Sequence, residues 1–264
     1  MIEREDILRT RRAHRRACVA AAIALVGLAG CGGSSNSSDE IVARVAGVGS
    51  VSKATLAHWT GVEAVVLYQE TPLGPVPKGV LPDPPSYGAC IAFLRETGQR
   101  LVNTGPPPTT AQLKSKCAEK LQKLRVLTLN TLLDWDWTIG AAQQLGMKVT
   151  SSEIKRRYEE VSGRLFPAKG ELASYLERTG QTVPDMLFRA KVQLFEVKQA
   201  ARLAELEKLI PKNLSAKKAE ATLAELAKGV RTSKQWAALT SCQPGYVTSA
   251  CAQYKGTEAP GYPN

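Results

Sequence analysis

Leu121-Gln122-Lys123-Leu124-Arg125-Val126-Leu127-Thr128-Leu129-Asn130-Thr131-Leu132-Leu133-Asp134-Trp135-Asp136-Trp137-Thr138-Ile139-Gly140 holds a dense run of large apolar side chains at the middle of the chain. Leu124, Val126, Leu127, Leu129, Leu132, Leu133, Trp135, Trp137 and Ile139 fall on nearly every side of a helix. A helix that is apolar all round is normally buried. Upstream, Thr109 and Gln112 have the spacing of a capping box, in which each side chain bonds the other's backbone N–H. Downstream, Gly146 stops the pattern. The spacing therefore predicts one central helix from Thr109 to Leu145, about 54 Å long. The fold class that follows is mainly α.

Toward the N-terminus, Gly105-Pro106-Pro107-Pro108 separates this helix from a shorter one predicted over Tyr87–Val102. The six prolines of residues 71–86 rule out regular helix there. Residues 71–109 thus read as a proline-rich insert. Ser52 caps a helix running to about Gln69, with Leu56, Trp59, Val62 and Val66 on one face. Before it, Ile41-Val42-Ala43-Arg44-Val45, Gly47, Gly49 and Val51 predict a short β-hairpin.

Toward the C-terminus, Thr150 and Glu153 form a second capping box. Ile154, Tyr158, Val161 and Leu165 mark the face of the helix it opens, and Pro167 ends that unit. Glu171–Arg178 is a short helix closed by Gly180. Thr182, Pro184 and Asp185 open a long helix whose stripe of Leu187, Ala190, Leu194, Val197, Ala201 and Ala204 predicts a packing seam. Pro211 ends it. A last helix is predicted from Ser215 to about Leu239, followed from Cys242 by a loop without regular pattern.

Residues 1–30 have the order of an export signal. Arg9, Arg11, Arg12, Arg15 and Arg16 precede an uncharged run from Ala17 to Gly30 that is too short to span a bilayer. Leu28-Ala29-Gly30-Cys31 looks like a bacterial lipobox, with small residues before the cut and a thiol after it. Cleavage there predicts lipid on Cys31 and a protein held at the extracytoplasmic face of a bacterial membrane. Two or three acyl chains, at about 0.8 kcal/mol per buried CH₂, hold firmly where one would not. Gly32–Ser38 (GGSSNSS), within a tether of residues 31–40, has a reach of about 15 Å.

Without the leader the chain has 29 Lys/Arg against 21 Asp/Glu, a net charge of +8. Outside a membrane that charge excludes nucleic acid and favours anionic lipid, wall polymers or acidic clients. Cys90, Cys117, Cys242 and Cys251 are an even set in an exported chain and read as disulfides. Of three possible pairings, Cys90–Cys117 with Cys242–Cys251 closes the shortest loops and is the one expected. Zinc is disfavoured, since no C-x₂-C occurs and His58 is the one histidine after the leader. No metal or cofactor is expected.

Val42-Ala43-Arg44-Val45-Ala46-Gly47-Val48-Gly49-Ser50-Val51-Ser52-Lys53 resembles the opening of PrsA-type foldase lipoproteins and SurA-like periplasmic chaperones. Leu145-Gly146-Met147-Lys148-Val149-Thr150-Ser151-Ser152-Glu153-Ile154 and Tyr175-Leu176-Glu177-Arg178-Thr179-Gly180-Gln181-Thr182 resemble later signatures of that family. The cysteine-stapled insert and Cys242-Gln243-Pro244-Gly245-Tyr246-Val247 look like its actinobacterial branch. The resemblance implies a SurA-N-like helical chaperone domain over residues 41–211, then a parvulin prolyl isomerase. Here Leu209-Ile210-Pro211-Lys212-Asn213-Leu214 passes directly into the C-terminal segment, residues 212–264. The paired histidines and strand-rich pattern of a parvulin are missing from it.

Three functions follow as expectations. The first is a non-catalytic chaperone for unfolded or newly exported polypeptides. The second is a residual peptidyl-prolyl isomerase, and the third a structural or adaptor envelope lipoprotein. Client binding calls for an apolar cleft between the long helices, with Trp59, Tyr68, Phe166 and Phe188 as candidate contacts. Asp134 and Asp136 flank Trp135, a helical spacing that splays them apart. No G-x-S-x-G, Walker loop or H-E-x-x-H occurs.

Overall fold

The computed structural model describes residues 40–68, 75–100, 107–211, 214–215, 218 and 231–256. The leader, Cys31, the tether, parts of the proline-rich insert and most of the predicted last helix lie outside the described residues.

The described residues open with the expected hairpin. Strand β1 (Ile41–Val45) pairs antiparallel with β2 (Gly49–Ser52), Ala43 facing Val51 and Val45 facing Gly49. Helix α1 (Lys53–Tyr68) follows, its Thr55 N–H donating to Ser52 Oγ at 3.0 Å. Helices α2 (Gly88–Arg100) and α3 (Thr110–Gln144) are joined by the Cys90–Cys117 disulfide, and both cysteines are fully buried. Helix α4 (Ser151–Leu165), α5 (Glu171–Thr179) and α6 (Val183–Lys208) complete the bundle. The capping boxes Thr109–Gln112 and Thr150–Glu153 are both formed. The protein is thus mainly helical, with a short antiparallel hairpin and two disulfides.

Three expectations need correction. Helix α3 is not buried all round. Leu129, Leu133, Ile139 and Ala142 are buried, but Leu127 is 44% exposed. The 187–204 stripe of α6 holds only in its first half, where Ala190 is buried and Leu187 and Leu194 are half-buried, while Val197, Ala201 and Ala204 face solvent. Phe188, Val192 and Phe195, with Gln199 one turn on, face α3, and Gln199 Nε2 donates to Thr138 O at 2.7 Å. Nor does the C-terminal helix run unbroken to Leu239. Thr232 caps a new helix α7 (Ser233–Ala238) through a third capping box with Gln235.

The tail after α7 also has more order than its sequence suggests. Strand β3 (Thr240–Cys242) adds to the free edge of β1, giving a three-stranded sheet of order β2-β1-β3. Ala43 faces Cys242 and Val45 faces Thr240. The Cys242–Cys251 disulfide closes the loop beyond. Trp236, Tyr246, Ala250 and Cys251 share one core with Val42, Val45, Trp59 and Leu133. Gly140 permits this packing, because a Cβ there would lie 2.5 Å from the Trp236 ring and 2.7 Å from Val48.

Candidate apolar groove and its basic rim

The long helices are closed against each other. Ile139 and Ala142 of α3 pack on Val192 and Phe195 of α6, and a concavity of about 280 Å³ where α1 meets them is lined largely by polar side chains, among them Glu63, Arg189 and Gln193. Where α1 joins them, Trp135 meets Trp59 edge-on at 5.1 Å and Phe188 at 5.7 Å. The Arg189 guanidinium lies 4.9 Å from the Trp59 ring and donates to Glu63 Oε1 at 3.1 Å. His58 Nε2 lies 3.0 Å from Asp185 Oδ2, tying α1 to the start of α6. These contacts are clasps between helices.

Three of the four candidate client contacts are engaged in packing within the domain. Trp59 and Phe166 are buried, Phe166 against Tyr175 at 4.7 Å. Phe188 is part of the α3–α6 packing. Aromatic type drew attention to them, but their area is already spent on the core. Tyr68 differs, at 40% exposed with its ring edge-on to Phe93 at 5.7 Å.

Beside Tyr68, an open groove of about 390 Å³ runs between the last turn of α1 and the first half of α3. Leu67 projects from α1 and is 60% exposed, and Leu127 projects from α3. Leu124 forms part of the wall between the helices, buried against Ala64 and Val80. Lys116, Lys120 and Lys123 line the same groove at steps of four and three along α3. Glu119 pairs with Lys123 at 2.5 Å. Beyond that Lys123 contact, the Lys116 charge also acts on Glu119 and helps hold its pKa below the usual carboxylate range. The Lys120 ammonium sits 5.3 Å above the Phe93 ring, and burial pulls its pKa below the usual lysine range.

The helical spacing of Lys116, Lys120, Lys123 and Leu127 was the sequence signal for this groove. It is masked by the apolar residues that follow on every side of α3.

A second, larger concavity of about 610 Å³ lies between α3, α7 and the C-terminal loop, lined among others by Asn130, Asp134, Trp137 and Lys234. Burial raises the Asp134 pKa. Asp136 points elsewhere, toward the backbone of β2 at Gly49, so the two aspartates do not act on one centre. Among the described residues no group of His, Cys, Asp and Glu could hold a metal, and no helix is long and apolar enough to cross a membrane. No protein-family model, curated protein or solved structure matches the chain.

Proposed function

We propose that the protein is a lipid-anchored chaperone at the extracytoplasmic face of a bacterial membrane, binding unfolded or newly exported polypeptides without catalysis. The observation that carries the reading is the groove in which exposed Leu67 and Leu127 flank buried Leu124 beside a row of lysines. Contiguous exposed apolar surface rimmed by polar groups is what a protein-binding site needs. The closed α3–α6 seam counts against a cradle between the long helices, so the groove on α1 and α3 bears the proposal. The lipobox around Cys31 supplies the location, and the resemblance to PrsA-type and SurA-like chaperones supports the class.

Two experiments test it. Light scattering of an aggregating client, with the protein at equimolar or higher amount, should show suppression that Leu127→Asp abolishes. No suppression by the wild-type chain refutes chaperone activity. Mass spectrometry of membrane-extracted protein should find diacylglycerol on Cys31, and Cys31→Ala should release the protein from the membrane fraction. A proline-containing tetrapeptide assay showing a clear rate above background would make the chain an isomerase instead. Crosslinking that captures a single stable partner would favour the adaptor reading.

A further inference from the structure

We infer that the groove between α1 and α3 selects polypeptide segments in which a carboxylate follows or precedes apolar side chains at a fixed distance, and discriminates against basic segments. This rests on the chaperone reading and specifies its client chemistry. The groove has two kinds of wall on one helix. Lys116 and Lys120 occupy the N-terminal half of its α3 side, and Leu124 and Leu127 the C-terminal half. Glu119 pairs with Lys123 and also feels the Lys116 charge, so three lysines and one glutamate leave the groove lining with a net charge of +2. An ammonium held over an aromatic ring and partly withdrawn from water gains more from an arriving carboxylate than a fully solvated one does. An arriving lysine or arginine would meet like charge at the same point.

The spacing sets the register of the ligand. Lys120 and Leu127 are separated by about 10 Å along the α3 axis at 1.5 Å per residue. An extended peptide spans that with about three residues, at roughly 3.3 Å each. Successive side chains of an extended peptide point to opposite faces, so of two adjacent leucines with an aspartate or glutamate three residues away, one shares the acid's face and is the one that enters the groove. Exposed Leu67 and Tyr68 at the end of α1 add further apolar contact area.

The test is fluorescence anisotropy with the full chain and two labelled peptides. Both carry Leu-Leu, and they differ only in having Asp or Lys three residues on. The acidic peptide should bind about fivefold or more tightly, with a difference that shrinks as salt rises, as expected for a rim charge pair. Lys120→Glu should reverse the preference, and Leu127→Asp should weaken both peptides. Both side chains reach solvent, and circular dichroism of each variant checks that the fold is kept. Equal binding of the two peptides, or a preference that Lys120→Glu leaves unchanged, overturns the inference. Aggregation suppression independent of client charge overturns it too while leaving the chaperone reading intact. Peptide discrimination without aggregation suppression upholds the selectivity and refutes the chaperone.

Discussion

Replacing Asp136 by asparagine should stabilise the protein at neutral pH and do almost nothing in acid. The Asp136 carboxyl lies so near β2 that a Cβ on Gly49 would be 2.9 Å from both its oxygens. Burial pushes its pKa from 3.8 up to about 6, with the Lys191 charge pulling the other way. A carboxyl whose pKa is raised by folding binds its proton more tightly in the native state than in the unfolded chain. Its contribution is therefore most favourable below the unfolded value and is lost as pH climbs through the folded one. At neutral pH the ionised group opposes the fold. A shift of two units corresponds to at most about 3 kcal/mol, and partial water access brings the expected effect to about 1–3 kcal/mol. Urea denaturation of wild type and Asp136→Asn should show that gap near pH 7, narrowing to almost nothing near pH 3. Comparing the two proteins at each pH cancels the other carboxylates, including Glu153, which its hydrogen bond from Lys198 helps hold at about 2. A gap that is constant with pH, or absent at neutral pH, would refute the burial argument.

Gly140→Ala, normally favourable inside a helix, should destabilise by about 1–3 kcal/mol because the added methyl meets Trp236 and Val48, as chemical denaturation would show. Arg189→Ala should cost about 2–4 kcal/mol by leaving Glu63 unpaired and uncovering Trp59, with Glu63→Gln in the same background recovering part of the loss. Thr232→Ala should cost about 1 kcal/mol through the α7 cap, read as a drop in denaturation midpoint. Replacing Cys90 and Cys117 together by serine should cost up to about 3.5 kcal/mol on the chain-entropy model, and unchanged protease sensitivity of residues 75–120 would count against it.

Local grammar was the legible part of this fold. Thr109–Gln112 and Thr150–Glu153 announce helix starts because both partners of a capping box lie within one turn. Ser52 and Gly180 mark a start and a stop for the same reason. The Thr232–Gln235 box obeys identical chemistry, but the Ala-, Lys- and Glu-rich sequence before it has helical propensity and hides the break. β3 was illegible for a different cause. Thr240-Ser241-Cys242 is too short to alternate, and what makes it a strand is an edge supplied by residues near the other end of the chain. On α6 two helical stripes, one through Leu187 and one through Phe188, satisfy the same spacing, and the first is covered only as far as Leu194. Only the position of α3 decides between them. The groove escaped notice because apolar residues on all sides of α3 give no hint that one side lacks a neighbour.

The pairing of β3 with β1 sets an order on maturation. During synthesis from the N-terminus, β1 and β2 emerge first, yet one edge of β1 stays open until Thr240–Cys242 arrives to close it. An open edge offers unpaired N–H and C=O groups to any passing strand. The core around Trp59 and Leu133 likewise waits for Trp236 and Tyr246. The nascent protein therefore passes through a stage in which a strand edge and part of its core are both uncovered. A chain truncated just before Thr240 should be trapped in that stage.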